Sequence, residues 1–88
     1  MPHFYLHLRD GTSEVLDHEG GEYASLETVK ASVLLSAREL MSVHVTAGVL
    51  DLRFRLEAED DKGAIVYSLP FSHAVGVIPP ELAALDVA

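Results

Sequence analysis

The sequence contains no cysteine, and lysine and arginine together account for only 6 of its 88 residues. Without cysteine the chain can form neither disulfides nor thiolate metal sites, and it has no thiol nucleophile. No apolar run approaches the ~18 residues of a membrane-spanning helix, and the first residues lack the basic and apolar regions of a signal peptide. We therefore expect a cytoplasmic protein that is stabilised by packing alone and does not enter a membrane.

Acidic residues dominate the charge of the chain. Asp and Glu number 14 and give a formal net charge of -8, which repels phosphate backbones, so we expect no nucleic acid partner. The simplest role of this charge is to keep a small protein soluble. Hydrophobic residues make up 49% of the chain, as in packed globular domains. We expect one domain over residues 1–75, with residues 76–88 as a C-terminal tail.

The chain begins with a predicted hairpin. Apolar and polar side chains alternate over residues 3–9, which is the pattern of a strand with one buried face. Asp10 and Gly11 form a dipeptide favoured in two-residue hairpin turns. A second strand is therefore predicted over about residues 13–17.

A two-residue turn also sets the register of this hairpin. It places His7 opposite Glu14, which predicts a pair between the imidazole and the carboxylate across the two strands. Residues 17–22 follow, and their glycines and acidic residues predict a loop. Gly11 and Gly20 permit turn geometries that are closed to other residues, so we interpret them as positions that maintain the fold.

A single long helix is predicted after this loop. Ser25 offers an N-cap hydroxyl, and Gly48 provides a C-terminal stop. Residues at three- and four-residue spacing form its predicted buried stripe: Leu26, Val29, Val33, Ala37, Leu40, Met41 and His44. Other apolar residues of the helix lie off this stripe and leave surface to be covered: Leu34, Leu35, Val43 and Val45.

Two more strands are predicted at residues 52–59, which alternate, and at residues 64–69, which carry no charge and end at Pro70. The tail either makes one helical turn after its prolines or is disordered. The resulting fold class is α+β, with the order β-β-α-β-β and one helix packed on one face of a four-stranded antiparallel sheet. The spatial order 2-1-3-4 makes every neighbouring pair antiparallel.

Four short segments carry a resemblance to a known family. They are Met-Pro-His-Phe-Tyr-Leu-His-Leu-Arg-Asp-Gly at residues 1–11, Asp-His-Glu-Gly at 17–20, Ala-Arg-Glu-Leu at 37–40 and Leu-Pro-Phe at 69–71. The chain resembles short alphaproteobacterial proteins of the rhizobial type that open Met-Pro-x-Phe/Tyr-Phe/Tyr-x-His-Leu-Arg-x-Gly and are classed as a domain of unknown function. This resemblance covers about residues 1–75. It implies a small stand-alone bacterial domain and supplies no catalytic residues.

The candidate interaction surface is the face of the sheet that points away from the helix. Tyr5, His7 and Arg9 project from this face on strand one, and Arg53 and Arg55 project from it on strand three. Such a cluster could bind an anion or an acidic peptide. We favour the alternative that glutamates on the same face pair with these cations as a solvated charge ladder: Glu14, Glu57 and Glu59.

We expect neither a metal site nor a cofactor nor a catalytic residue. His3 and His7 lie four residues apart, and in a strand that spacing separates their backbones by roughly 13 Å, too far to share one ion. Ser72 and His73 are neighbours in sequence, which does not create a nucleophile and base with an orienting group. The chain also contains no phosphate-cradling loop and no nucleophile elbow.

The residues favour a non-enzymatic protein-interaction or regulatory module with an unknown protein partner. The alternatives are a nucleic-acid or anion-binding domain that uses Arg9, Arg53, Arg55 and the nearby histidines, and a small oligomeric enzyme with a site shared between subunits. The uncharged fourth strand would pair indiscriminately if its edge were free. We therefore predict a homodimer that covers this edge, or a tail that folds back over it through apolar residues: Val75, Val77, Ile78, Leu82 and Leu85.

Overall fold

The computed structural model describes residues 1–82. It shows the predicted α+β fold, in which one long helix packs on one face of an antiparallel sheet. The elements in chain order are β1 (His3–Arg9), β2 (Glu14–Val15), β3 (Gly21–Glu22), α1 (Leu26–Thr46), β4 (Arg55–Asp60), β5 (Ile65–Pro70) and a 3-10 turn (Phe71–His73). The strand order is β2-β1-β4-β5, which confirms the predicted order 2-1-3-4, and β3 also pairs with β1.

The first hairpin has a longer turn than predicted. Arg9 lies opposite Glu14, so four residues form the loop, and the predicted pairing of His7 with Glu14 is wrong. The reason is local: the Asp10 carboxylate accepts hydrogen bonds from the backbone N–H of Ser13, at 2.7 Å, and from the residue before it. These bonds hold the pKa of Asp10 well below its usual value. They stabilise a wider turn in place of the two-residue one.

The predicted loop over residues 17–22 is also partly wrong, because its last two residues form β3. His3 pairs with Glu22 and Phe4 with Gly21, on the same edge of β1 that β2 occupies further along. After β2 the chain leaves the edge of β1 and then returns to the same edge as β3. We call the connecting residues, 16–20, the excursion. Gly20, with a φ of 66°, turns the backbone back toward β1.

Helix α1 begins and ends close to the predicted positions. The hydroxyl of Ser25 accepts a hydrogen bond from the N–H of Thr28 at 3.3 Å, as an N-cap does, and the chain leaves the helix through Gly48 at a φ of 99°. Four residues of the predicted stripe are buried: Val29, Val33, Ala37 and Met41. The ends of that stripe are less buried, since Leu26 is exposed and His44 is half-buried between two phenylalanine rings.

The third predicted strand starts later in the structure, at Arg55 rather than at residue 52. The Asp51 carboxylate accepts a hydrogen bond from the backbone N–H of Arg53 at 3.0 Å. This bond forms a small turn, so the strand begins only after it. Leu52, placed by the alternating pattern on the buried face, is therefore 52% exposed. The fourth predicted strand agrees within one residue, because β5 runs from Ile65 to Pro70.

The core lies between α1, β4, β5 and the 3-10 turn. Its largest fully buried side chain is Phe71, which follows β5 directly and donates its backbone N–H to the carbonyl of Phe54 at 3.0 Å. The buried residues form one cluster: Phe4, Val29, Val33, Ala37, Met41, Leu56, Ala58, Leu69, Phe71 and Ala74. Residues 76–80 extend beyond this core, and residues 80–82 begin a helical turn. The rest of the predicted tail, residues 83–88, lies outside the described residues.

One helix covers only part of this sheet. Neighbouring strands lie about 4.8 Å apart and a helix is about 10 Å wide, so one helix shields roughly two strands. Helix α1 packs mainly against β4, β5 and the 3-10 turn. The β1–β2 side of the same sheet face is therefore left open, and this geometry creates the groove described below.

Candidate functional site

Two surfaces of the molecule are candidates for function. The outer face is the side of the sheet that points away from α1, and it carries Tyr5, His7, Arg9 and Arg55 as predicted. The groove lies on the helix side, between α1 and the β1–β2 hairpin. The first surface is polar and internally paired, and the second is apolar and open.

The cations of the outer face are held in a charge ladder, which confirms the alternative favoured by the sequence. Arg9 bonds through Nε to Glu14 at 2.7 Å and through Nη1 to Glu57. Glu57 also accepts a bond from Arg55 Nε at 3.1 Å. Burial raises the pKa of the Glu57 carboxyl, but the hydrogen bonds from Arg9 and Arg55 outweigh it and hold that pKa below its usual value.

Arg53 does not join this face, contrary to the prediction. It precedes β4, and its guanidinium bonds to Asp51 with Nη2 at 2.7 Å from Oδ2. The side chain of Arg53 is 75% exposed. Hydrogen bonds from Arg53 lower the pKa of Asp51 to about 2. The predicted five-residue surface is thus reduced to four residues, because the strand begins after Arg53.

His7 is the most buried polar residue of the described chain, at 5% exposure, although the sequence placed it on a wet face. Its Nε2 lies 2.7 Å from Oε1 of Glu59, and its Nδ1 accepts the backbone N–H of Asp17 at 3.1 Å. Because Nδ1 is the acceptor, Nε2 carries the proton and donates it to Glu59. The Tyr5 ring stacks beside the imidazole with an interplanar angle of 5°.

This arrangement leaves His7 with a structural role. Both ring nitrogens are engaged in hydrogen bonds, so neither is free to bind a metal ion or a substrate unless an existing bond breaks. The sequence named Glu59 among the acids of this face but paired His7 with Glu14, because the contact with Glu59 joins β1 to β4 across the sheet and depends on their register. No local motif predicts a pair separated by 52 positions.

Asp17 connects the excursion between β2 and β3 to the sheet through hydrogen bonds. Its Oδ2 accepts the backbone N–H of Leu6 at 3.2 Å, and its Oδ1 accepts that of Gly20 at 2.9 Å. Leu6 lies where neither β2 nor β3 pairs with β1, so the carboxylate satisfies a donor that would otherwise lack a strand partner. His3 adds a bond from Nε2 to the carbonyl of Glu19 at 2.8 Å. The sequence predicted only a loop here.

These bonds predict a specific loss of stability in acid. Burial raises the pKa of Asp17, but the backbone N–H groups of Gly20 and Leu6 outweigh it, so the pKa lies below its ordinary value of 3.8. The folded state therefore binds the proton less readily than the unfolded state. The resulting stabilisation is complete above pH ~4 and is lost as the pH falls through the lowered pKa.

We expect the acid-induced fall in melting temperature to be shallower in Asp17→Asn than in the wild type, because the variant has no carboxyl to titrate. Thermal unfolding followed by circular dichroism from neutral pH to pH ~2 measures both slopes. Asp61→Asn, at an exposed position of the β4–β5 turn, is the control and should retain the wild-type slope. Equal slopes in Asp17→Asn and the wild type would contradict the proposed role of Asp17.

The groove has a volume of about 420 Å³ and is largely apolar. It is lined by residues from β1, the hairpin, α1 and β4: Leu6, Leu8, Val15, Leu16, Asp17, Ser36, Glu39, Leu40, Val43 and Leu56. Its rim is strongly exposed, since Val15 is 67% and Val43 is 65% exposed. Two carboxylates line the groove, Asp17 and Glu39. Asp17 already accepts two backbone hydrogen bonds, so the exposed Glu39 is the carboxylate that a bound group would meet.

The edge of the sheet at β5 is a third feature to weigh. Phe71 and Phe54 form a hydrogen-bonded pair of opposite residues next to the ends of β5 and β4. In an antiparallel ladder such pairs alternate with pairs whose backbone groups point away from the neighbouring strand. Ser68 and Pro70 therefore direct their backbone groups away from β4, and Pro70 has no N–H to offer. A register shift next to Glu59 interrupts the other end. The open edge is short, as protected edges in natural sheets are.

Neither a metal centre nor a membrane span is found in the part of the chain that the structure describes. Within residues 1–82, no three His, Asp or Glu side chains come together in a way that could hold a metal ion. Over the same residues, α1 is long enough to cross a bilayer but is not apolar enough.

Comparison with known proteins gives one finding. A family model described as a domain of unknown function, DUF6894, matches residues 3–72, from the first residue of β1 to the 3-10 turn. No curated protein and no solved structure matches the chain. The matched region includes the outer face and every residue that lines the groove.

Proposed function

The chain belongs to the DUF6894 family, a domain of unknown function, and we propose that it is a non-enzymatic protein-interaction module that binds its partner in the groove. The observation that carries this proposal is the half-covered sheet. Apolar side chains of β1 and β2 lie beside α1 with no layer over them in the described residues. Apolar patches that remain open on a folded protein commonly mark interaction sites.

The shape of the groove suits an apolar segment. Its floor is formed by the sheet residues Leu6, Leu8 and Leu56, and one wall is formed by Leu40 and Val43 of α1. A segment that inserts side chains there would complete the missing layer of the fold. Burial of each aliphatic side chain contributes about 1.5–3 kcal/mol, so a few contacts are enough for measurable affinity.

The outer face supports the anion-binding alternative less well. The two arginines there, Arg9 and Arg55, share Glu57 as a partner, and Arg9 also contacts Glu14. The positive and negative charges of this cluster cancel, so an incoming phosphate would have to displace carboxylates. The net charge of -8 adds general repulsion.

The proposed module is also non-catalytic. The chemically most versatile group of the outer face, the imidazole of His7, already donates to Glu59 and accepts from Asp17. General acid–base catalysis requires a nitrogen that can reach the substrate proton. A shared site between subunits would have to break one of these bonds first.

Site-specific photo-crosslinking tests whether the groove binds a partner. Val43 and Val45 lie on the same helix with similar exposure, 65% and 60%, but only Val43 lines the groove. We expect a benzophenone residue at position 43, introduced in an alphaproteobacterial host of the kind that the sequence resemblance indicates, to form a discrete protein adduct. The same residue at position 45 should form none.

The adduct at position 43 should also decrease when Val15→Asp is introduced, because a charge on the opposite rim disfavours an apolar occupant. The chain should still fold, since Val15 is exposed. Adducts of equal yield at positions 43 and 45, or none at either, would reject the groove as a binding site.

A further inference from the structure

We propose that the occupant of the groove is the C-terminal segment of a second copy of this chain, residues 75–82, exchanged reciprocally between two copies around a twofold axis. This inference rests on the proposed function, because it names the partner of the same groove. It also replaces the β5 edge with the groove as the centre of the predicted homodimer. A reciprocal exchange is closed, so it yields dimers rather than chains of molecules.

The first support is the unusual exposure of this segment. Val77 is 84% exposed, Ile78 is 70% exposed and Leu82 is 53% exposed. Residues 75–80, Val-Gly-Val-Ile-Pro-Pro, carry no charge. An uncharged apolar stretch that is exposed to this degree is typical of a bound peptide, and its prolines reduce the entropy that it loses on binding.

The second support is where the segment starts. Ala74, the last buried residue before it, accepts a hydrogen bond on its carbonyl from Arg38 Nε at 2.8 Å. Residues of a helix advance by about 100° each, so Arg38 and Ser36 point to nearly opposite sides. Ser36 lines the groove. The segment therefore leaves the helix on the side away from its own groove.

This geometry favours a second copy over the same chain. To reach its own groove the segment would have to cross the solvent face of α1, where Leu35 is 59% exposed and thus uncovered. A neighbouring molecule has no such obstacle. The exchange also covers two exposed apolar surfaces of each copy at once, the groove rim at Val15 and Val43 and the segment itself.

Charge supports the same occupant. Each copy carries a formal charge of -8, so two copies repel one another unless their contact excludes acidic groups. Residues 75–80 bring no charge toward Glu39, the free acid of the groove. Residues 75–80 are therefore the part of the segment that can enter the groove most easily, and the one charged residue of the segment, Glu81, follows them.

Sedimentation equilibrium of the full chain and its single variants tests the exchange. We expect the wild type to be a dimer. Val43→Asp, which damages the groove, and Ile78→Asp, which damages the segment, should each raise the dimer dissociation constant about tenfold or more. Val45→Asp, the matched helix control outside the groove, should leave the constant unchanged.

Mixing the two damaged variants gives a sharper test. A pair of Val43→Asp and Ile78→Asp chains retains one intact contact, the segment of the first in the groove of the second. The mixture should therefore associate more strongly than either variant alone. Failure of the mixture to associate better than its components would overturn the exchange.

Other outcomes would overturn it in identifiable ways. A dimer that is lost in Val43→Asp but kept in Ile78→Asp would indicate groove-to-groove contact. A dimer kept in both variants but lost in Ser68→Pro would place the interface at the β5 edge. A monomeric wild type whose position 43 still crosslinks to another protein would refute the exchange alone, whereas a monomer with no crosslink would refute the proposed function as well.

Discussion

Alanine at Gly20 will destabilise the domain by more than about 3 kcal/mol, one of the largest effects expected of a single substitution here. The φ of this glycine is 66°, which costs any other residue about 1–2 kcal/mol. A Cβ atom at this position would also lie 2.6 Å from the carbonyl oxygen of Phe4 and 2.9 Å from the ring of Tyr5. Since the carbonyl belongs to β1, the clash can be relieved only by moving the excursion away from the sheet.

Gly48→Ala is the matched control for this prediction. Its φ of 99° imposes a similar backbone penalty, but a Cβ atom there would meet nothing within 4 Å. Urea unfolding at neutral pH measures the free energy of unfolding of both variants. Equal losses for the two substitutions would show that the close approach of Gly20 to β1 is absent in solution.

Phe71→Ala will lower the free energy of unfolding by about 3–5 kcal/mol, the usual range for removing a buried phenylalanine. The side chain is fully buried and packs between His44 of α1 and Phe54, with ring centroids 5.7 and 5.8 Å away. A small domain has only about 5–15 kcal/mol of stability in total. We therefore expect a partly unfolded protein at physiological temperature.

Leu35→Ala serves as the control, because Leu35 is 59% exposed on the solvent face of α1. It should change the stability by less than about 0.5 kcal/mol. The same urea unfolding experiment measures both variants. A loss of less than 1 kcal/mol in Phe71→Ala would mean that the 3-10 turn is not part of the folded core.

The elements that the sequence predicted well are those whose signals are local. Alternation over residues 3–9 identified β1, and the hydroxyl of Ser25 together with Gly48 marked both ends of α1. A helix of 21 residues and a strand of 7 carry enough periodic positions to identify themselves. The antiparallel order of the strands then followed from chain connectivity.

The parts that the sequence predicted poorly are those in which two weak local signals compete. Asp10 and Gly11 favour a two-residue turn, but the carboxylate of Asp10 can also bond to Ser13, and the wider turn prevails. That change of two positions moves Glu14 from His7 to Arg9. The strand β3 was missed because two residues carry no periodicity, and only the neighbouring β1 makes them a strand.

In the candidate site, too, the sequence predicted the features that have local signals and missed those that depend on contacts with distant segments. The sequence correctly placed Tyr5, His7, Arg9 and Arg55 on one face and indicated that glutamates pair with the arginines. It could not show that His7 is buried, because that burial depends on the excursion between β2 and β3. The groove was anticipated only as uncovered apolar residues of α1, such as Val43, without the sheet residues that form its floor.

The sequence by itself determined the α+β class, the β-β-α-β-β order apart from the extra strand β3, the ends of α1 and the acidic character of the chain, because each depends on composition or on contacts between near neighbours. Only the tertiary structure decided the hairpin register, the strand β3 and the partners of His7, because each requires β1 to meet a distant segment. It also decided where the open surface lies. One helix is too narrow to cover a sheet of this width, and the side on which it packs follows from the burial of Phe71 against α1.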